Sequence, residues 1–592
     1  MKFPTVTAPS RRTDRMTAFA GYNHNLVINE GESYDEKNLT SDNYPVLSNR
    51  GQRGVYAAPA ACHGLIAKDS LCYVDGKDFA INGKQIDMGL TDGEKTLVSM
   101  GAYVIILPDK KYINTADLSD YGPIEAAVTT TGAVKFELCQ VAGEVYDVNY
   151  AQPTAPAEPQ NLEYWIDTSS SPNTLKQYSE SAGMWVSVGT TYIKITATGI
   201  GKPFEQYDGV DISGLAGVDL VDSSSGDTLE DESVSGIDGS FVVWARDDDY
   251  LVITGILNNT RTLSNTVTVT RAMPNMDFVI ESENRLWGCR YGAAVNGEIV
   301  NELYACKLGD FKNWNCFMGV STDSYVASVG TDGQWTGAIT HLGYPLFFKE
   351  NCLHKVYGNY PSNYQVQTTA CRGVQKGSGK SLAIVGETLY YKSRLGVCAY
   401  DGSLPTEISQ ALGDVAYFDA VAGAHGNKYY ISMADSAGTY HLFTYDAMRS
   451  YWHKEDNTQA DAWCSCRNEM YYVDHADGKI KTINGSGKKD SSKVPWMMET
   501  GLLEAYTEER KYLQRLNLRL SAETGARIYV SIEYDSSGVW VPVTSMTSTA
   551  LRAISIPVRP RRCDHLRLRV EGEGDVKIFA LTKEITEGSD RR

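Results

Sequence analysis

Along most of the chain, apolar and polar residues alternate in short runs rather than at helical spacing. A run such as 71–74 stops at a turn, and a second run follows at once. Residues 71–81, 346–358 and 389–402 repeat this pattern, 428–433 pairs with 441–446, and 469–474 closes at 479–485. Period-two runs joined by Asp75-Gly76, Asp401-Gly402 or Asn484-Gly485 predict antiparallel hairpins, because those dipeptides tolerate the positive φ of tight hairpin turns. Helical periodicity is confined to one short candidate, 503–513. The pattern predicts an all-β chain.

Between residues 277 and 485 the hairpin units recur about every 40–50 residues, the length of one four-stranded propeller blade. Two earlier hairpins, 65–81 and 97–113, predict further blades, giving about six to eight in a ring that is interrupted after the second. The interruption contains a proline-rich hinge at 153–159 and a small hairpin carrying Trp165 and Trp185. Period-two runs follow at 191–195, 209–214, 240–245, 250–254 and 266–270. After the last blade, alternation at 516–520, 527–534, 553–558, 565–570 and 576–581 predicts a β-sandwich. The expected order is an N-terminal arm (1–60), first propeller blades (61–121), an inserted acidic β domain with the Trp hairpin (122–272), remaining blades (273–494) and a C-terminal β-sandwich (495–592).

Composition sharpens this picture. In 592 residues, 53 Gly and 37 Tyr against 14 Met favour strands and tight turns. Hydrophobic residues at 42% and charged residues at 22% exclude wholesale disorder. A net charge of −18 argues against a protein that coats nucleic acid. Lys2, Arg11, Arg12 and Arg15 are not followed by the apolar core of a secretory signal, and no apolar stretch approaches the length of a membrane span. We therefore expect a soluble chain with no stable membrane insertion. The twelve cysteines are scattered without paired C-x-x-C spacing and read as buried reduced thiols.

Charge is unevenly placed. Residues 205–249 hold thirteen Asp/Glu and one Arg, a local net of −12, whereas 510–572 hold eleven Lys/Arg and five Asp/Glu, a net of +6. The acidic candidates are Glu230, Asp231, Glu232, Asp247, Asp248 and Asp249. The basic ones are Arg559, Arg561, Arg562, Arg567 and Arg569. Arg567 and Arg569 alternate with Leu566, Leu568 and Val570, which predicts a strand showing guanidinium groups on one face to an acidic partner or to phosphate.

No catalytic spacing is complete. Residues 372–381 resemble a phosphate loop, but the first required glycine falls at Val374 and a strand follows where a helix is needed. Residues 331–335 are too short for the turn that marks sialidase blades. His425, His441, His453 and His475 fall within blades as core or rim residues. Asp247–Asp249 and the acids of 474–478 lack the ligand alternation of a calcium loop. No catalytic, cofactor or metal-binding residue is assigned, and the chain is expected not to be an enzyme.

The stretch 283–289 followed by 303–314, the segment 347–351 leading to 356–361, and the hairpin 391–397 resemble the blades of tailed-bacteriophage tail proteins. These are β-propeller nozzle or hub proteins, among them the tail stabilisation proteins of short-tailed phages. Residues 16–53 are similar to the N-terminal arm of that family. The resemblance implies a virion structural protein. Copies, commonly six, would form a homo-oligomeric ring that extends and closes the DNA-ejection channel of the tail. Its partners would be a portal or adaptor and tail fibre proteins, with transient passage of genomic DNA, after assembly in the host bacterial cytoplasm. The six acidic residues would then face the channel, where they repel phosphate, and the five arginines would grip a neighbour. A receptor- or glycan-binding tail protein and a propeller glycosidase are the alternatives.

Overall fold

Seven small antiparallel sheets follow one another around a common axis. The computed structural model describes residues 11–170, 173–214, 220–221, 228–229, 238–257, 260–264, 266–293, 297–489, 493–503, 510–547, 550–559 and 561–587. Among these the regular structure is strand, with a few short 3-10 turns and no α-helix. The fold is all-β. The innermost strands of blades 1 to 7 are Cys62–Ala67, Thr96–Met100, Phe278–Ser282, Gly337–His341, Ala383–Val385, Tyr417–His425 and Ala460–Cys466. Each neighbours the next and the last neighbours the first, with the turn Gly379–Ser381 helping to bridge blades 4 and 5.

The second strand of a blade is packed on both faces by adjacent blades. Lys428–Asp435 is buried at every position but the last, and Tyr344–Lys349 at every position but the first. This explains why these segments read as unbroken apolar or aromatic runs. Between blades 5 and 6, Tyr390, Tyr429, Phe443, Tyr445 and Trp452 fill the space with offset and edge-on rings.

Ring closure uses both ends of the chain. The outer part of blade 7 is supplied by Gly54–Ala57, which pairs antiparallel with Ile480–Thr482, Thr482 opposite Gly54. This leaves no open seam in the ring.

Residues 1–60 do not form a separate arm where they are described. Arg11–Met16 pairs with Val576–Glu587, Leu47–Asn49 pairs with the same strand, and Ser33–Lys37 pairs with Pro495–Thr500. The C-terminal sandwich is therefore built from both termini. Phe19, Leu39 and Leu47 enter its core beside Leu516, Leu518, Ile528, Val530, Leu568 and Val570. The helical candidate also differs: Lys511–Ala522 is a strand of this sandwich, Leu503 bridges Leu566, and 504–509 lie outside the described residues. Apolar spacing at 511–520 satisfies a twisted strand with its inner face buried, and tertiary pairing overrides the weak local preference.

The sandwich is fastened to blades 6 and 7 through buried polar groups. Tyr22 N–H bonds the Trp452 carbonyl at 2.6 Å, and the Ser41 hydroxyl donates to Asp446 at 2.6 Å. Glu36 meets His453 at 2.9 Å with both side chains buried. Arg53 pairs with Glu455 at 2.7 Å and Asp456 at 3.1 Å, and Arg50 joins Asp456 at 3.2 Å.

The insertion leaves the ring after Tyr121–Pro123 of blade 2 and returns before Phe278 of blade 3. Its core, including Phe136, Ile195, Phe204, Val210, Leu251 and Val269, lies between two sheets. A third sheet, Val148–Gln152, Tyr164–Asp167, Thr174–Ser179 and Met184–Ser187, packs against it. The insertion is locked to the long blade 3 loop. Arg271 pairs with Asp208, the Asn313 amide donates to Asp208 at 2.9 Å, and Gly209 N–H bonds the Asn313 side chain at 2.8 Å. A Cβ at Gly209 would lie 2.3 Å from the Asn315 carbonyl oxygen, so only glycine fits this approach.

Candidate functional site

The N-terminal ends of the innermost strands converge at one mouth of the propeller. Lys380, on the turn ahead of the blade 5 strand, pairs with Glu94, which precedes the blade 2 strand, at 2.6 Å. The same ammonium donates to the Asp461 carbonyl of blade 7 at 3.1 Å. In a seven-membered ring blade 5 stands opposite blade 2, so one side chain spans the axis. The Asp461 carboxylate meets His475 at 2.9 Å, and His63 meets Asp92 at 2.7 Å.

Beside the bridge, a cleft of about 390 Å³ opens between blades 2 and 3, lined by Glu94, Thr96, Leu107, Lys110, Met276 and Asp277 among others. Burial pushes the Asp277 carboxyl above its ordinary value, against the Tyr291 N–H that it accepts at 2.8 Å. Among the described residues no three His, Cys, Asp or Glu side chains are placed to hold a metal ion.

Sequence spacing alone does not reveal this mouth, although the signal is present. Glu94, Asp277 and Lys380 each lie within three residues ahead of an innermost strand, and Asp461 is the second residue of one. Aligning blade starts would bring them together. Lys380 does stand in the segment that resembles a phosphate loop, but that loop is a packed blade connection rather than a solvated turn. Ser378 and Ser381 are buried, the Ser378 hydroxyl accepts Ala420 N–H, and a Cβ at Gly373 would lie 1.8 Å from the Lys349 carbonyl oxygen. In the short sialidase-like turn, Trp335 is buried and the Thr331 carbonyl accepts the Lys349 ammonium at 2.6 Å.

Asp247, Asp248 and Asp249 form the exposed tip of a hairpin in the inserted domain. They are partly engaged there. Asp249 accepts Gly199 N–H at 2.7 Å, Asp247 accepts Asp248 N–H at 2.8 Å, and Arg246 lies 3.6 Å from Asp248. Glu230, Asp231 and Glu232 lie outside the described residues. Asp208 of the same acidic stretch is buried against Arg271, and the half-buried Asp211 accepts the Asn315 amide and the Ser240 hydroxyl.

The five arginines do not act as one cluster. Arg567 and Arg569 share Glu499, at 3.3 and 2.9 Å, and their guanidinium carbons lie 4.2 Å over Tyr34 and 4.0 Å over Trp540. They neutralise a buried carboxylate on the face of the sheet opposite its core residues Met498, Leu568 and Val570, which corrects the expectation of a free basic face at these two positions. Arg559 and Arg561 are exposed, Arg561 lying 5.0 Å over Tyr534, and Arg562 is half-buried in the short strand Arg562–Cys563. All twelve cysteines are unpaired thiols.

No protein-family model and no curated protein matches the chain. Solved structures that are similar to it include the following three. The exo-β-1,3-galactanase of Phanerochaete chrysosporium with galactose is 9% identical, covering 52% of this chain and 94% of its own, at a TM-score of 0.21. A GH43 glycoside hydrolase engineered to display both endo-xylanase and exo-arabinofuranosidase activity is 10% identical, covering 52% and 96%, at 0.19. Trypanosoma rangeli sialidase in complex with a difluorinated nononic acid is 9% identical, covering 96% and 95%, at 0.15. Likenesses this distant place none of those proteins' residues on this chain.

Proposed function

We propose that this protein is a structural subunit of a bacteriophage tail, one of several copies that form a nozzle or hub ring around the DNA-ejection channel. The observation that carries the reading is the locked construction. Both chain ends interleave in one sandwich, and buried charges fasten that sandwich to blades 6 and 7. A block tied at so many points suits an assembly that bears load. The net charge of −18 keeps DNA from adhering to the walls. Negative-stain imaging of the purified protein, with antibody labelling of virions, tests the reading. Closed rings and label at the tail tip are expected; a monomer at every concentration with unlabelled tails overturns it.

A propeller glycosidase is the second reading, favoured by Asp277. Burial shifts its carboxyl upward, the direction a general acid needs, in the cleft that Glu94 also lines. Turnover of a glycan panel that disappears in Asp277→Asn would establish this reading in place of the first.

A further inference from the structure

The third sheet of the inserted domain has one face in the core and one face of aromatic rings that are mostly half-buried. Val148, Tyr164, Ile166 and Leu175 pack with Leu138 and Ile256 of the inserted sandwich. On the opposite face the register places Trp165 across from Lys176 and Tyr178 across from Trp185, with Tyr150 beside Trp165. Trp185 is the hub of this group. Its ring lies 5.4 Å from Trp165, 5.4 Å from Tyr178 and 6.4 Å from Tyr150, all edge-to-face.

A sheet face turned to water ordinarily carries polar side chains. Here Tyr150, Tyr178 and Trp185 are only half-buried, and the apolar clusters of the sandwich do not extend to this side. Trp165 beneath them is fixed: it is 4% exposed, its indole N–H donates to the Gln152 carbonyl at 2.9 Å, and the Lys176 ammonium lies 4.8 Å over its ring. The Tyr150 hydroxyl is aimed by Glu163 at 3.2 Å. Among the described residues the Trp185 indole N–H and the Tyr178 hydroxyl have no protein hydrogen-bond partner.

Charge narrows the occupant. Residues 148–187 carry Glu158, Glu163, Asp167 and Glu180 against Lys176 alone, and Lys176 is already paired with Asp167 at 2.7 Å. Anionic ligands such as nucleic acid or sialylated chains are repelled. A ligand that combines C–H faces to lie on rings with hydroxyls to meet the free N–H and O–H groups is an uncharged sugar.

We propose that this aromatic face, centred on Trp185 and Tyr178, binds neutral carbohydrate. The proposal is independent of the ring reading. The test is titration of the full chain with neutral oligosaccharides, namely β-1,4-linked N-acetylglucosamine hexamer and α- and β-linked glucose hexamers, with a sialylated oligosaccharide as control. Binding of at least one neutral hexamer and none of the control is expected. Trp185→Ala should weaken it at least tenfold with an unchanged melting temperature, and Trp185→Phe should restore most of it. Lys77→Ala, on an exposed turn of blade 1, should leave it unchanged. No binding of any neutral hexamer, or equal binding by Trp185→Ala, overturns the proposal. So does loss of ring assembly in Trp185→Ala without sugar binding, which would make the face a subunit contact.

Discussion

Lys380 and Glu94 meet at 2.6 Å from opposite sides of the propeller axis, one ahead of blade 5 and the other ahead of blade 2. Their side chains are 50% and 69% exposed, so water screens the pair and its Coulomb energy is small. The ring is held instead by packing between blades and by the closing strand Gly54–Ala57. Lys380→Ala should therefore lower the unfolding free energy by less than about 1 kcal/mol in urea titration. A loss of several kcal/mol would make the bridge a support of the ring.

The junction between sandwich and propeller behaves differently, because its charges are buried. Burial alone would push the Asp456 carboxyl up, but Arg53 and Arg50 outweigh it and hold it well below the usual carboxylate range. Arg53→Ala leaves Glu455 and Asp456 without their main cation and should cost about 3–5 kcal/mol. Because the folded-state value is depressed, the Asp456 contribution is complete above the ordinary carboxylate value. It is lost only as the pH falls below that value. Wild-type stability measured down to pH 3, compared with Arg53→Ala, checks both statements.

Blade hairpins were legible because each strand and its turn are local: the Asp75-Gly76 turn joins partners only a few residues apart. What could not be read is what pairs across the chain. Gly54 joins Thr482, and Arg11 joins Thr586, with no sequence signal tying one end to the other. Charge was legible as a count but not as a surface. Asp208 and Arg567 read as members of an acidic and a basic patch, yet each is consumed by a partner more than sixty residues away in sequence.

His354 provides a pH test away from any proposed site. Burial, and next the Lys349 charge, push its imidazole from 6.5 down to about 4. Its two ring nitrogens meet the hydroxyls of Thr331 at 3.0 Å and Thr368 at 2.9 Å. The neutral ring is the form that folds, so its contribution is complete above pH 6.5 and declines as the pH falls toward 4. The amount is on the order of 2–3 kcal/mol. His354→Gln should flatten the stability profile in that window; an unchanged slope would show that other groups set it.

Removing residues 126–270 and joining the flanks should leave a propeller that still unfolds cooperatively, since the blades close without the insertion. The midpoint should fall. Asn313 loses its bonds with Asp208 and Gly209, and Arg271 loses Asp208, at about 1–3 kcal/mol for each buried group left unpaired. Thermal unfolding of the deletion protein is the measurement, and loss of any cooperative transition would show that the insertion is part of the propeller's folding unit.

The arginines of the C-terminal sandwich separate into two kinds, and substitution should separate them in the same way. Arg567 and Arg569 flank Glu499, whose side chain is 7% exposed, and each guanidinium also covers an aromatic ring. Removing one leaves the carboxylate with a single partner. Removing Glu499 leaves two like charges side by side. Glu499→Ala should therefore destabilise the sandwich by about 1–3 kcal/mol, as expected for a buried charged hydrogen-bond acceptor, with little dependence on salt because the groups are shielded from ions. Arg559 and Arg561 are exposed, and Arg561 rests on Tyr534. Changing both to Glu should leave unfolding within about 0.5 kcal/mol of the original. If these two side chains grip a neighbouring subunit, that double variant weakens assembly in light scattering at low salt, and the difference shrinks as salt is added. Unchanged assembly at every ionic strength would remove Arg559 and Arg561 from any contact surface.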